Sequence, residues 1–184
     1  MEVTMNYIYA KRQDTPLILQ FIKELAEYEG MLNEVVADEA TLEHWLFDEK
    51  KAEVIFAVKE ADDATDADAD NSDVDAADVN VGDSTGSIVG FALFFHNFST
   101  FLGRAGIYLE DLYVKPEYRG KGYGKGLLIS LAQIAVERGC GRLEWWCLDW
   151  NKNSIDFYLS MGAKPMDDWT VYRIDGETLK RLGS

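Results

Sequence analysis

Apolar positions along the chain change period several times, and each change predicts an element. Val3 to Tyr9 alternates apolar and polar residues, as a half-buried strand does. Ile18, Phe21, Ile22 and Leu25 recur at helical spacing. Thr15 stands at the N-cap, Pro16 at the first helical position, and Gly30 lies beyond the last apolar turn. A second helix is predicted from about Asp38 to Phe47, with Leu42, Trp45 and Leu46 inward. Glu53 to Lys59, Ser87 to His96 and Gly106 to Val114 read as strands rich in Val, Ile, Leu and Phe. Leu127, Leu131 and Ile134 define one face of a helix from about Tyr123 to Arg138. A strand over Arg142 to Leu148, a helix over Ser154 to Met161 stopped by Gly162, a strand over Trp169 to Ile174 and a short last helix complete the series. Strands first, then alternating helices and strands, predict an α/β chain: one mixed sheet with helices on both faces. At 184 residues a single domain is expected.

Between the strands ending at Lys59 and starting at Ser87 the pattern disappears. Glu60 to Thr85 holds ten Asp or Glu residues, no Lys or Arg, and no aromatic residue. Such a segment cannot bury enough apolar surface to offset its ordering entropy, so a flexible acidic loop is expected. Asp66, Asp68 and Asp70 have the spacing of a calcium loop. The EF-hand needs Gly at its sixth position and Glu at its twelfth, where this chain has Asn71 and Ala77.

That segment carries ten of the fifteen net negative charges. The overall acidity argues against nucleic acid and against an anionic membrane surface as partners, and favours a cationic small molecule. No apolar run is long enough to span a bilayer, and the N-terminus lacks a signal-peptide pattern. Cys140 and Cys147 form no CxxC pair, and His44 and His96 share no ligand spacing. No disulfide and no metal are expected, and a reduced, cytoplasmic setting is.

Against this acidic background, one stretch is basic and glycine-rich: Arg119, Gly120, Lys121, Gly122, Tyr123, Gly124, Lys125 and Gly126. It follows a predicted strand and opens a predicted helix. Glycines allow close backbone approach, and a helix start offers unpaired N–H groups, so the stretch suits a phosphate or pyrophosphate. The alternative is a glycine-rich turn with solubilising lysines. The Walker pattern fails at Arg119 and Gly126, and GxGxxG fails at Lys125 and Leu127. The form Arg-x-x-Gly-x-Gly, Arg119 to Gly124, remains. It resembles the coenzyme A pyrophosphate loop of the GNAT superfamily of N-acetyltransferases.

Further segments are similar to the spermidine/spermine (diamine) branch and to the thialysine acetyltransferases that share its motifs. They are Lys23 to Glu29, Val89 to Ala92, Tyr108 to Val114, and Asp149 through Tyr158 with Gly162 and Ala163. The resemblance covers nearly the whole chain in order. The acidic segment, Lys152-Asn153, and a short link from Ala163 to Trp169 depart from it.

The resemblance implies a central, mostly antiparallel sheet and direct acetyl transfer from acetyl-CoA to an amine. An alkylammonium has a pKa near ~10.4 and must first lose a proton. Glu110 is the candidate base, or else a carboxylate that binds the substrate cation or caps a turn. Tyr158 matches the family tyrosine that protonates the leaving thiolate, against the alternative of a buried aromatic with its hydroxyl satisfied. A backbone N–H of Leu112, Tyr113 or Val114 is expected to donate to the oxyanion. The resemblance assigns Asn151 and Ser154 to CoA along with the glycine turn, and Tyr28, Glu29, Glu110, Asp111 and Trp169 to the amine, with Asp168 as their neighbour. Carboxylates and aromatic faces suit an extended cation. A protein or peptide acetyltransferase and a CoA-binding sensor without turnover stay open as alternatives. A homodimer follows by analogy.

Overall fold

In the computed structural model, residues 7–59 and 86–184 are described. The Val3 to Asn6 part of the expected first strand and the acidic segment Glu60 to Thr85 lie outside them. Contacts divide the chain after Trp146 into two units, residues 1–146 and 147–184.

The first unit holds one five-stranded sheet in the order β1 (Tyr7–Tyr9), β2 (Glu53–Lys59), β3 (Ser87–Ser99), β4 (Arg104–Val114) and β5 (Leu143–Trp145). Every neighbouring pair is antiparallel except β4 and β5, which run parallel. A parallel neighbour needs a crossover, and α3 (Tyr123–Glu137) supplies it.

Strand alternation sends Val54 and Phe56, Phe91 and Leu93, and Tyr113 to one face, where α1 (Thr15–Tyr28) buries Ile18 and Phe21 among them. The Phe21 ring stacks on Phe91 at 5.4 Å and meets Phe56 and Tyr113 at 6.3 and 5.9 Å. Truncating a ring so enclosed costs about 3–5 kcal/mol. The opposite face, with Ile55, Ala92, Phe94, Ile107 and Leu109, carries α3 and its buried Leu127, Leu131 and Ile134. The Arg138 guanidinium, just past α3, closes this face over the Phe94 ring and pairs with Glu53 of β2.

The α1 N-cap is Asp14, one residue before the expected Thr15. The Asp14 carboxylate accepts the Lys11 N–H at 2.6 Å, and the Thr15 hydroxyl donates to the Arg12 carbonyl at 2.7 Å. In α2 (Glu39–Glu43) the Asp38 side chain caps the Thr41 N–H at 2.8 Å, and the helix then widens into a π turn over His44–Asp48. That widening corrects one expectation. Leu46 is buried and Leu42 is half-buried, but Trp45 is 49% exposed, because the wider turn shifts the phase of the 3.6-residue repeat.

The expected strand at Arg142 to Leu148 shortens to Leu143–Trp145. Trp145 pairs with Leu109, and Trp146 meets Tyr108 edge-on at 5.7 Å. Cys140 and Cys147 are free thiols. Among the described residues no helix is long and apolar enough to cross a membrane.

The second unit comprises α4 (Lys152–Ser160) and α5 (Gly176–Leu182). Gly162, at φ +87°, follows the end of α4. The expected strand at Trp169 to Ile174 is absent. These residues alternate as a strand would, but no ladder partner bonds to them among the described residues, and all are exposed.

Candidate functional site

The site of the first unit begins with a register fault in β4. Leu93 of β3 pairs with Asp111, and its neighbour Phe94 pairs with Leu109. Glu110 is therefore the extra residue of a β-bulge, a device that re-aims side chains and bends a strand. The bulge puts Asp111 and Tyr108 on the same face and leaves Glu110 exposed.

Beyond the bulge, β4 has one strand partner among the described residues. Its last pair with β5 is Leu109 with Trp145, so Glu110 to Val114 run on with no described strand along that edge. The Lys115 N–H donates to the Val89 carbonyl at 3.0 Å. Antiparallel bonding alternates, so Tyr113 turns its peptide groups toward β3, while Leu112 and Val114 turn theirs to the open edge. Of the three expected oxyanion donors, Leu112 and Val114 thus offer their N–H groups along that edge. Tyr113 is spent on the sheet.

The glycine turn follows directly. Gly120 and Gly122 have φ of +74° and +93°, the left-handed region that side chains strain to enter. Gly122 is the N-cap of α3 and supplies no side-chain cap, so the first-turn amides point outward without intrahelical acceptors. Lys121 and Lys125 are exposed beside them, and the Lys121 ammonium lies 5.4 Å from the Tyr118 ring centroid. Tyr123 is buried and meets Tyr118 edge-on at 6.1 Å. Gly124 lies against strand β4, where a Cβ would meet the Val114 side chain at 3.8 Å. A bare, positively flanked helix start beside an open strand edge fits a ligand with a pyrophosphate and an amide-bearing arm.

Arg119 is held on three sides. Its Nε donates to the Val114 carbonyl at 2.9 Å, and its guanidinium lies over the rings of Tyr28 and Tyr113, 4.8 and 5.5 Å from their centroids. The Glu24 carboxylate lies near the Tyr113 hydroxyl. Burial, with the charge of Glu24, pushes that hydroxyl up to about 12.

Carboxylates gather at the bulge. Burial, with the nearby charges of Glu110 and Glu29, raises the Asp111 pKa to about 7. Burial also raises Glu29, at the end of α1. These charges stay close together at a cost, and an ammonium placed among them relieves it.

The remaining expected residues belong to the second unit. Asn151 is buried and caps α4, its Oδ1 accepting the Ser154 N–H at 3.3 Å. Tyr158 is half-buried beside Phe157, their ring centroids 5.1 Å apart. Asp168 is exposed, and Trp169 is 71% exposed.

Glu24, beside the Tyr113 hydroxyl, escapes a reading of the sequence alone, and so does the contact of Tyr28, expected at the amine, with Arg119. Phe21, Glu24 and Tyr28 recur at i, i+3 and i+7, one stripe of α1, and that spacing was the available signal.

A protein-family model described as "Acetyltransferase (GNAT) family" matches residues 40–163, more than half of the chain. A thialysine N-epsilon-acetyltransferase of Bos taurus is 34% identical over 94% of this chain and 94% of its own length. An L-ornithine N5-acetyltransferase of Arabidopsis thaliana is 44% identical over 52% of this chain and 42% of its own. Among solved structures, an integron cassette protein of V. cholerae superimposes with a TM-score of 0.70 at 24% identity, over 98% of both chains.

Proposed function

This chain belongs to the GNAT family of acetyltransferases, and from that membership we propose that it moves an acetyl group from acetyl-CoA to the primary amine of a small, cationic diamine or lysine-like acceptor. The observation that carries the acceptor's charge is the meeting of Glu29, Glu110 and Asp111 at the bulge where the open edge of β4 begins. The thialysine and ornithine acetyltransferases among its relatives support the same class.

Acetyl-CoA supplies an acetyl group activated as a thioester. In this reading the first-turn amides of α3, Lys121 and Lys125 bind its pyrophosphate over the bare turn Gly120 to Gly124. Arg119 fixes the start of that turn, and Asn151 and Ser154 contact the CoA. Leu112 and Val114 line the open edge, and their N–H groups bind the arm and the carbonyl oxygen at the reacting centre. Glu29 and Asp111 hold the acceptor's ammonium, with Tyr28, Asp168 and Trp169 around the acceptor. Glu110, the exposed member of the bulge, takes the ammonium's proton. The free amine then bonds to the acetyl carbon as the carbon–sulfur bond breaks, and the Tyr158 hydroxyl protonates the departing sulfur. A homodimer and a cytoplasmic location complete the reading, both supported by family resemblance.

The test is release of CoA thiol from acetyl-CoA with spermidine, spermine, putrescine, thialysine, L-ornithine, lysine and a lysine-rich peptide. Turnover of one or more of the small amines supports the reading. Turnover of the peptide alone assigns the site to protein acceptors, and release with none, alongside measured acetyl-CoA binding, sinks it.

A further inference from the structure

The sheet face that bears Asp111 continues beyond the reach of α1. It carries Phe95 and Asn97 on β3, Gly106 and Tyr108 on β4, Arg142 just before β5, and Glu144 on it. Phe95, Tyr108 and Trp146 form an aromatic row with centroid spacings of 5.1 and 5.7 Å. Beside the row, Arg142 pairs with Glu144 at 3.0 Å, with both side chains more than a third exposed, and Asn97 Nδ2 donates to the same Glu144 oxygen. Gly106 lets Asn97 and Arg142 close over β4: a Cβ there would come within 2.5 Å of Asn97 Oδ1 and 2.8 Å of Arg142.

Three buried side-chain polar atoms lack a hydrogen-bond partner among the described residues, and two of them, Asn97 Oδ1 and Arg142 Nε, belong to this corner. Both atoms are buried, while the Arg142 and Glu144 side chains stay more than a third exposed, so a ligand meets the outer guanidinium nitrogens and the carboxylate. Their position says which ligand. Glu144 is paired with Tyr108, two residues before the proton-accepting Glu110. That is about 7 Å along the strand and about 5 Å across to the next. An extended side chain of three or four methylenes spans about 5–6 Å by standard bond lengths. An acceptor whose side-chain amine sits at Glu110 therefore brings its other end to Arg142 and Glu144, along the aromatic row.

We infer that the Arg142–Glu144 pair is the subsite for the head of an α-amino-acid acceptor. Glu144 receives the α-ammonium, and the planar guanidinium of Arg142 receives the α-carboxylate. A diamine of the same length can use only Glu144, so the pair selects ornithine- and lysine-like acceptors. The inference rests on the acetyl-transfer reading above.

The experiment compares kcat/KM for L-ornithine with that for putrescine, the same chain without the carboxylate, in wild type, Arg142→Gln and Arg142→Lys. Loss of a charge-assisted hydrogen bond predicts that Arg142→Gln lowers the ornithine-to-putrescine ratio about 10- to 100-fold, mainly through KM, with partial recovery in Arg142→Lys. An unchanged ratio in an Arg142→Gln protein that still melts cooperatively and binds acetyl-CoA overturns the inference. A second measurement needs no variant. L-norvaline, which has the head but no side-chain amine, should compete with ornithine, and L-norvaline amide should not. Equal inhibition by both, or by neither, also overturns it. A wild type that acetylates diamines alone overturns the subsite and leaves the acetyl-transfer reading standing. A wild type that acetylates no amine removes that reading, and the subsite with it.

Discussion

The guanidinium of Arg119 lies over the ring of Tyr28, 4.8 Å from its centroid, which ties the end of α1 to the start of the glycine turn. The first residue opens the proposed CoA loop, and the second was expected at the amine. In the proposed reading Tyr28 therefore bears on both ligands. A cation–π contact of this kind is worth about 0.5–2 kcal/mol. Tyr28→Leu should weaken CoA binding roughly 2- to 30-fold by calorimetry, and Tyr28→Phe, which keeps the ring, should stay near wild type. A Tyr28→Leu protein with unchanged CoA affinity but a raised amine KM would confine the residue to the acceptor.

Gly122 makes a sharper prediction. Its φ of +93° is strained for any L side chain, and worst for a β-branched one. Gly122→Val should either twist the turn or place two methyl groups over the first-turn amides of α3. Both outcomes should abolish measurable CoA binding, while the thermal transition of the sheet and α1 survives. Retained binding would move the pyrophosphate elsewhere.

Local chemistry made much of this molecule legible in its sequence. Pro16 near the start, Gly30 at the end and the Ile18–Phe21–Leu25 stripe announced α1. The basic glycine stretch announced the turn and the helix behind it. Features that depend on two segments at once stayed hidden. Glu110 looks like one more alternating position, and only its missing partner on β3 reveals the bulge. Trp45 occupies an inward position of an ideal 3.6-residue repeat, but the π turn carries it outward. Trp169 to Ile174 has strand periodicity, yet periodicity supplies no hydrogen-bonding neighbour. The Arg142–Glu144–Asn97 corner joins β3 to β5 across Gly106 of β4, and no window along the chain contains it.

Tyr158 stands in the second turn of α4, beside Phe157 and after the Asn151 cap that sets where the helix begins. As the proposed proton donor to the departing sulfur, it should be needed for turnover and not for binding. Tyr158→Phe should lower kcat by roughly 10²–10⁴-fold with acetyl-CoA affinity largely kept. An unchanged kcat would remove it from the mechanism. Asn151→Ala should cost about 1 kcal/mol of stability through the lost cap, whatever it does to CoA.

Asp111 sets the pH dependence of the fold. Its pKa is raised from an ordinary 3.8 to about 7 by burial and by Glu110 and Glu29. Between those values the native state holds a proton that the unfolded chain has released. Stability therefore falls as pH rises through that window and levels off above about 7. The Arg138 guanidinium acts oppositely on Glu53, holding its pKa below the usual carboxylate range, and that contribution is lost only as pH falls through the lowered value. Wild type should thus lose melting temperature from pH 5 to pH 8. Asp111→Asn should follow a flatter curve and exceed wild type at pH 8. A cationic acceptor added at pH 8 should raise the wild-type melting temperature and leave the variant's nearly unmoved, because it neutralises a charge that the variant lacks. Parallel curves for the two proteins would mean that Asp111 ionises as an ordinary carboxylate, and that the bulge stores no unfavourable charge for an ammonium to relieve.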